Sequence, residues 1–109
     1  MNPAELLLRY LKAYEAKDLR TIETLLADAV RLQDWNLTAV GKSAVLAETR
    51  KNFDDAKQLD IEIVRVYGAG RHAAAELRIV VNETIELNVV DVISLDEQGK
   101  VDTIRAYKG

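Results

Sequence analysis

The stretch LNVVDVISL, residues 87–95, decides how this chain is read. Val89, Val90, Val92 and Ile93 give it the β-branched, apolar character of a strand covered on both faces. Asp91 interrupts that run. An ionised carboxylate among apolar side chains is costly, and it responds by pairing or by holding its proton. The pairing candidates in the sequence are Arg78 and Arg105.

Working outward, the whole C-terminal half keeps a strand period. LDIEIVRVY (59–67), HAAAELRIVVN (72–82), TIELNVVDVISL (84–95) and KVDTIRAY (100–107) suit strands of ordinary length. GAG (68–70), NE (82–83) and DEQG (96–99) separate them with turn residues. The N-terminal half has a helical period instead. Asn2, Pro3 and Glu5 form a helix start: a cap, proline at the first helical position and an acid three residues after the cap. Leu6, Leu7, Tyr10, Leu11 and Tyr14 then recur on one face until the stripe ends near Lys17. Asp18 caps a second helix carrying Leu19, Ile22, Leu25 and Leu26. AVRLQDW (29–35) reads as a short strand with Val30, Leu32 and Asp34 in one phase, and NLTAVG (36–41) as a connection or short strand. KSAVLAETRKNF (42–53) reads as a third helix, with Ser43 as its cap and Val45, Leu46, Thr49 and Phe53 inward. Helices followed by a meandering sheet predict an α+β fold: three N-terminal helices packed on a curved, mostly antiparallel sheet, in a single domain over 1–109.

Composition narrows the function classes. Of 109 residues, 49% are apolar and 30% charged, which is the balance of a globular domain. Cysteine is absent, so disulfides, thiolate metal sites and cysteine nucleophiles are excluded. The single histidine, His72, rules out a histidine metal cluster. The net charge of −3 is spread over interspersed charges, and no basic stripe suggests nucleic acid. MNPAELLLRY lacks the pattern of a signal peptide, and no apolar run approaches a membrane span. The expectation is a cytoplasmic protein with no nucleic-acid or membrane partner.

Two motifs mislead. GAGRHA (68–73) fits the dinucleotide pattern, but that motif needs a helix next, and LRIVVN (77–82) leaves little room for one. A tight hairpin is the better account. GKS (41–43) matches the end of a phosphate loop, yet Asn36 stands where its first glycine belongs.

Tyr10, Asp34 and Asp91 each have an ordinary explanation. A tyrosine on an apolar helix face is commonly a core residue, an aspartate at a strand end commonly caps a turn, and Asp91 can pair with an arginine or face water at a sheet edge. Together they carry a resemblance. RYLKAYEAKDL (9–19), DAVRLQD (28–34) and VVDVISLDEQGKVDTIRAYKG (89–109) resemble the ketosteroid isomerase family, within the superfamily of nuclear transport factor 2-like and SnoaL-like cone folds. The resemblance covers nearly the whole chain. It implies that Tyr10 and Asp91 donate hydrogen bonds to a substrate oxyanion and that Asp34 is the catalytic base. Such a site moves a proton next to a carbonyl in a small, largely apolar molecule, and needs no cofactor or metal. Tyr14, Trp35, Glu48, Ile104 and Ala106 fall at binding positions on the cavity wall, Glu48 where the family has an apolar aromatic residue. Lys108 falls at another wall position.

The register of the fourth strand has two readings. A two-residue turn at Asn82-Glu83 puts Glu76 and Arg78 in phase with Asp91, giving a polar cavity. A three-residue turn sends Leu77 and Ile79 inward, which burial favours. The competing function is a non-catalytic module, a small-ligand binder or dimeric accessory domain. Epoxide hydrolysis, as in limonene epoxide hydrolase-like relatives, uses an acid near position 106, where this chain has Ala106. On the last strands the phase opposite Asp91 holds Val90, Val92, Arg105 and Tyr107, a partly apolar face that predicts a sheet-to-sheet homodimer.

Overall fold

Helix α1, Pro3–Glu15, begins where the sequence marks it: Asn2 Oδ1 accepts from the Glu5 amide at 2.8 Å, with proline in the first turn. Its buried stripe is Leu6, Leu7, Tyr10, Leu11 and Ala13. The helix stops in a Schellman turn: Asp18 N donates to Ala13 O at 2.8 Å and Lys17 N to Tyr14 O at 3.0 Å. Lys17 takes the left-handed position of that turn, at φ 56°, where glycine is usual. Its side chain offsets the strain, because Nζ donates to Phe53 O at 2.9 Å and also to Ala56 O at the end of a later helix. Asp18 then caps α2, Leu19–Leu25, accepting from Thr21 N at 3.1 Å.

A computed structural model describes all 109 residues, Met1–Gly109. After α2 the chain forms β1 (Leu26–Gln33), β2 (Thr38–Val40), α3 (Lys42–Asp55), β3 (Leu59–Ala69), β4 (His72–Val81), β5 (Ile85–Leu95) and β6 (Val101–Lys108). The strands make one sheet in the order β2-β1-β6-β5-β4-β3. All pairs are antiparallel except β1 with β6, so the sheet is mixed. The expected α+β architecture is the one observed. Register shifts at Ile63/Arg65, Ser94/Leu95 and Leu26/Arg31 bend three of the strand pairs. The bent sheet wraps the helical layer: α1 packs on β3, β4 and β5, and α3 packs on β1. Leu7, Ile22, Leu26, Val30, Ile93, Val101 and Ile104 are fully enclosed between the layers. Each such side chain stabilises the fold by about 1.5–3 kcal/mol relative to exposure. No helix is long and apolar enough to cross a membrane.

The cap of α3 differs from the expected one. Gly41, not Ser43, is the N-cap, and Ser43 lies inside the first turn. The chain must reverse from β2 into α3 at φ 93°, which glycine accepts without a Cβ clash. GAG closes the β3–β4 hairpin: Ala69 pairs with His72 across a two-residue turn with Gly70 at φ 59°. A strand follows at once, so the dinucleotide pattern has no helix to serve it.

The β4–β5 connection is the three-residue one. Val81 pairs with Ile85, Ile79 with Leu87, Leu77 with Val89 and Ala75 with Asp91. Leu77 and Ile79 therefore turn inward with Asp91. Arg78 lies on the outer face, where Glu86 accepts two of its hydrogen bonds at 2.7 and 3.1 Å. Glu76 shares that outer face and accepts from the Tyr67 hydroxyl at 2.6 Å.

Candidate active site

Between α1, α3 and the inner face of the sheet lies a cavity of about 330 Å³, near the small end of ligand pockets. Its wall is mostly apolar, with Leu77, Ile79, Leu87 and Val89 contributed by β4 and β5. Ile104 and Ala106 of β6 also line it. Tyr10, Asp34 and Asp91 all face this one space.

Asp91 sits mid-strand with Ala75 as its neighbour on β4 and Ala106 on β6. Neither can reach it with a charge or a hydrogen bond. No lysine, arginine or histidine lines the cavity. Protein atoms crowd the carboxyl while its open side faces the cavity, and this desolvation pushes its pKa up to about 7. Tyr10, on the facing helix, is only 5% exposed. Burial, then the neighbouring Tyr14 and Asp91, push its phenol well above the ordinary range. No fully enclosed side-chain nitrogen or oxygen lacks a partner. The unpaired oxygens of Tyr10 and Asp91 therefore open onto the cavity.

Asp34 follows the last residue of β1. Its Oδ1 accepts from the amides of Asn36 at 2.7 Å and Leu37 at 2.9 Å, which folds the chain back into β2. Asp34 thus caps a turn, its ordinary explanation, and it also lines the cavity. The backbone bonds fix the carboxylate while leaving Oδ2 free of them.

Trp35 lines the cavity and is 42% exposed, which puts it at the rim. Lys108 Nζ stands 5.6 Å from its ring centroid, a cation–π contact outside the cavity wall. Lys108 is not itself part of the wall. Tyr14 lines the cavity one turn after Tyr10, and its hydroxyl accepts from Asn52 Nδ2 at 3.1 Å. Burial raises its pKa, the Asn52 bond opposes that, and the charges of Asp91 and Asp34 add to the rise.

Glu48 is the position that departs from expectation, because it is not on the wall. The face that α3 turns to the cavity is Thr49, Asn52 and Asp55. One residue along a helix is a rotation of about 100°, so Glu48 points away while Thr49 is buried. Asn52 and Asp55 were missed. Their signal was the spacing 49, 52, 55, which continues the stripe of Val45, but polar residues that stay exposed on that stripe do not announce a cavity wall.

The arrangement brings a buried phenol, a carboxyl whose pKa desolvation lifts to about 7 and the second acid Asp34 onto one largely apolar cavity. No three His, Cys, Asp or Glu side chains are grouped as a metal-ligand set.

Residues 7–104 match the SnoaL-like domain family. The sequence has no significant match among curated proteins. Similar folds occur among solved structures. A Kribbella flavida protein provisionally named a ketosteroid isomerase superposes with a TM-score of 0.87 at 16% identity, over 98% of this chain and 77% of its own. A protein of unknown function from Cytophaga hutchinsonii, described as nuclear transport factor 2-like, gives 0.84 at 12% identity, over 100% and 91%. An LEH-like epoxide hydrolase of M. tuberculosis gives 0.82 at 16% identity, over 98% and 82%. At these identities the likeness establishes the fold and not the reaction.

Proposed function

The chain belongs to the SnoaL-like domain family, and on that premise we propose that it is an acid–base enzyme that moves a proton next to a carbonyl in a small, largely apolar ketone. The observation that carries this reading is Asp91: a desolvated carboxyl with no cation on the cavity wall and Tyr10 facing the same space. A carboxyl in that setting is useful as a donor and costly as a charge.

The reaction runs through an enolate. Asp34 takes a proton from the carbon beside the carbonyl, and the electron pair moves onto the carbonyl oxygen. Tyr10 and protonated Asp91 donate hydrogen bonds to that oxygen, where low dielectric makes them strong. Protonated Asp34 then returns the proton to the distal carbon of the conjugated system, giving the isomer. The proton stays within the pair of substrate and Asp34, so no other reactant enters. The apolar wall formed by Leu77, Ile79 and Val89 keeps water from quenching the enolate.

The test is isomerisation of a β,γ-unsaturated ketone, a small cyclic one beside a steroid, followed by the ultraviolet absorbance of the conjugated product. Turnover by the wild type and its loss in Asp34→Asn are expected. If neither ketone turns over and Asp91 titrates near its ordinary value of about 4, the enzymatic reading fails. The second reading, a non-catalytic ligand-binding module, draws on Asp34: its turn bonds give that residue a structural reason to be there.

A further inference from the structure

The reaction above makes no use of Tyr14 and Asn52. Tyr14 shares a helix face with Tyr10, four residues earlier. Its ring is held edge-on against Phe53, centroids 4.9 Å apart, and tilted against Tyr10 at 5.9 Å. Because its oxygen accepts from Asn52 Nδ2 at 3.1 Å, its own proton is directed away from Asn52 and meets no acceptor in the chain. Asn52 Oδ1 likewise receives no donor. Both residues line the cavity, and Asp55 joins them from the same face of α3. Thr49, the remaining polar wall residue of α3, spends its hydroxyl on Val45 O at 2.8 Å. The α3 side of the cavity thus presents one fixed phenol donor flanked by amide and carboxylate acceptors.

Charge and valence narrow what fits there. The acidic wall residues are Asp34, Asp55 and Asp91, and no cationic side chain joins them. An anionic group would meet carboxylates of its own sign with no cation to offset them. A carbonyl would use the Tyr14 donor and leave the acceptors unmatched. A hydroxyl accepts from Tyr14 and donates to Asn52 Oδ1 or Asp55, matching both.

The geometry points to a second polar subsite, formed by Tyr14 and Asn52 with Asp55 beside them, that holds a neutral hydroxyl group, so that the substrate class is an uncharged hydroxy ketone. This rests on the reading that places the carbonyl at Tyr10 and Asp91. The hydroxyl fixes the molecule end to end, which keeps the reacting carbon over Asp34.

Calorimetric titration tests it with 2-tetralone, its 5-, 6- and 7-hydroxy isomers and 2-tetralone-6-carboxylate. At least one hydroxy isomer binds about tenfold tighter than the parent, the gain of one well-matched hydrogen-bonded group. The carboxylate binds more weakly than the parent. In Tyr14→Phe, which keeps the ring packed on Phe53, and in Asn52→Leu, the ratio of hydroxylated to parent affinity falls toward one. Equal affinity for the parent and every hydroxy isomer overturns the subsite, as does a preference that survives in both variants. Binding is read without turnover. A chain that prefers the hydroxy isomers yet isomerises no ketone keeps this subsite and loses the enzymatic reading, and an active chain without the preference does the reverse.

Discussion

Ala75 stands directly across from Asp91 on the adjoining strand. A methyl group occupies the position from which an arginine or glutamine would have satisfied the acid, and Ala106 repeats this on the other side. The carboxyl is therefore desolvated by small apolar neighbours and left to face the cavity. The chain bears that cost at a position that faces the cavity, and the first prediction follows from its size.

Asp91 keeps its proton to about pH 7 in the fold, against about pH 3.9 in the unfolded chain. Between those values the folded state binds more protons, so stability falls as pH rises and levels off above about pH 7. Three pH units or so correspond to roughly 4 kcal/mol. Asp91→Asn removes that titration: its stability is flatter across the window and exceeds that of the wild type at about pH 8. Urea unfolding at a series of pH values measures both. Turnover should decline as pH rises through about 7, because the ionised acid cannot donate.

Asp34→Asn keeps an Oδ1 acceptor for the Asn36 and Leu37 amides, so the turn and the fold persist. Loss of the base lowers turnover by about 10²- to 10⁴-fold, while affinity for a non-reacting ketone stays near that of the wild type. Asp34→Ala also removes both backbone bonds and costs about 1–3 kcal/mol of stability. Rate and unfolding measurements on the two variants separate the catalytic role from the turn-capping one.

The outer face of the sheet carries exposed Val90 beside Tyr107, with Tyr67 on β3. We expect two copies to pack through this face as a homodimer. Light scattering at micromolar concentration should give twice the chain mass. Val90→Lys, a charge at the centre of that face, should shift it to the monomer while leaving circular dichroism intact.

Asn82 holds the β4–β5 turn in place. It sits at φ 53°, a conformation asparagine tolerates, and its Oδ1 accepts from Lys57 N at 2.8 Å and Gln58 N at 3.0 Å. Asn82→Ala loses both bonds and adds left-handed strain, so it destabilises by roughly 2–4 kcal/mol. Asn82→Gly avoids the strain and costs less. Thermal or urea unfolding of the pair ranks them, and the opposite order would contradict this account of the turn.

Much of the fold was legible because local chemistry writes it. Asn2, Pro3 and Glu5 announce α1, Asp18 announces α2, and the turn clusters divide the strands. Ser43 misled because capping preference was read without the backbone: the reversal out of β2 requires positive φ, and only Gly41 accommodates it cheaply. Asp91 was conspicuous because an acid in an apolar strand violates burial rules. Asn52 and Asp55 were not, because exposed polar residues on a helix are ordinary and nothing in their type marks the edge of a cavity.

The sequence by itself determined the order of helices and strands, though not every boundary, since Leu26, read as helix, opens β1, and it showed that an acid interrupts a strand of valines. Side-chain period offers only two faces per strand, and one residue more or less in a turn exchanges them. Whether Arg78 or Leu77 would face Asp91 was therefore settled by the β4–β5 turn, with Asn82 anchored to Lys57 and Gln58 far along the chain. Glu48 and Thr49 were separated in the same way, by the rotation of α3 against β1. Only tertiary structure decided these, because the contacts that fix a strand's register and a helix's rotation come from residues distant in sequence.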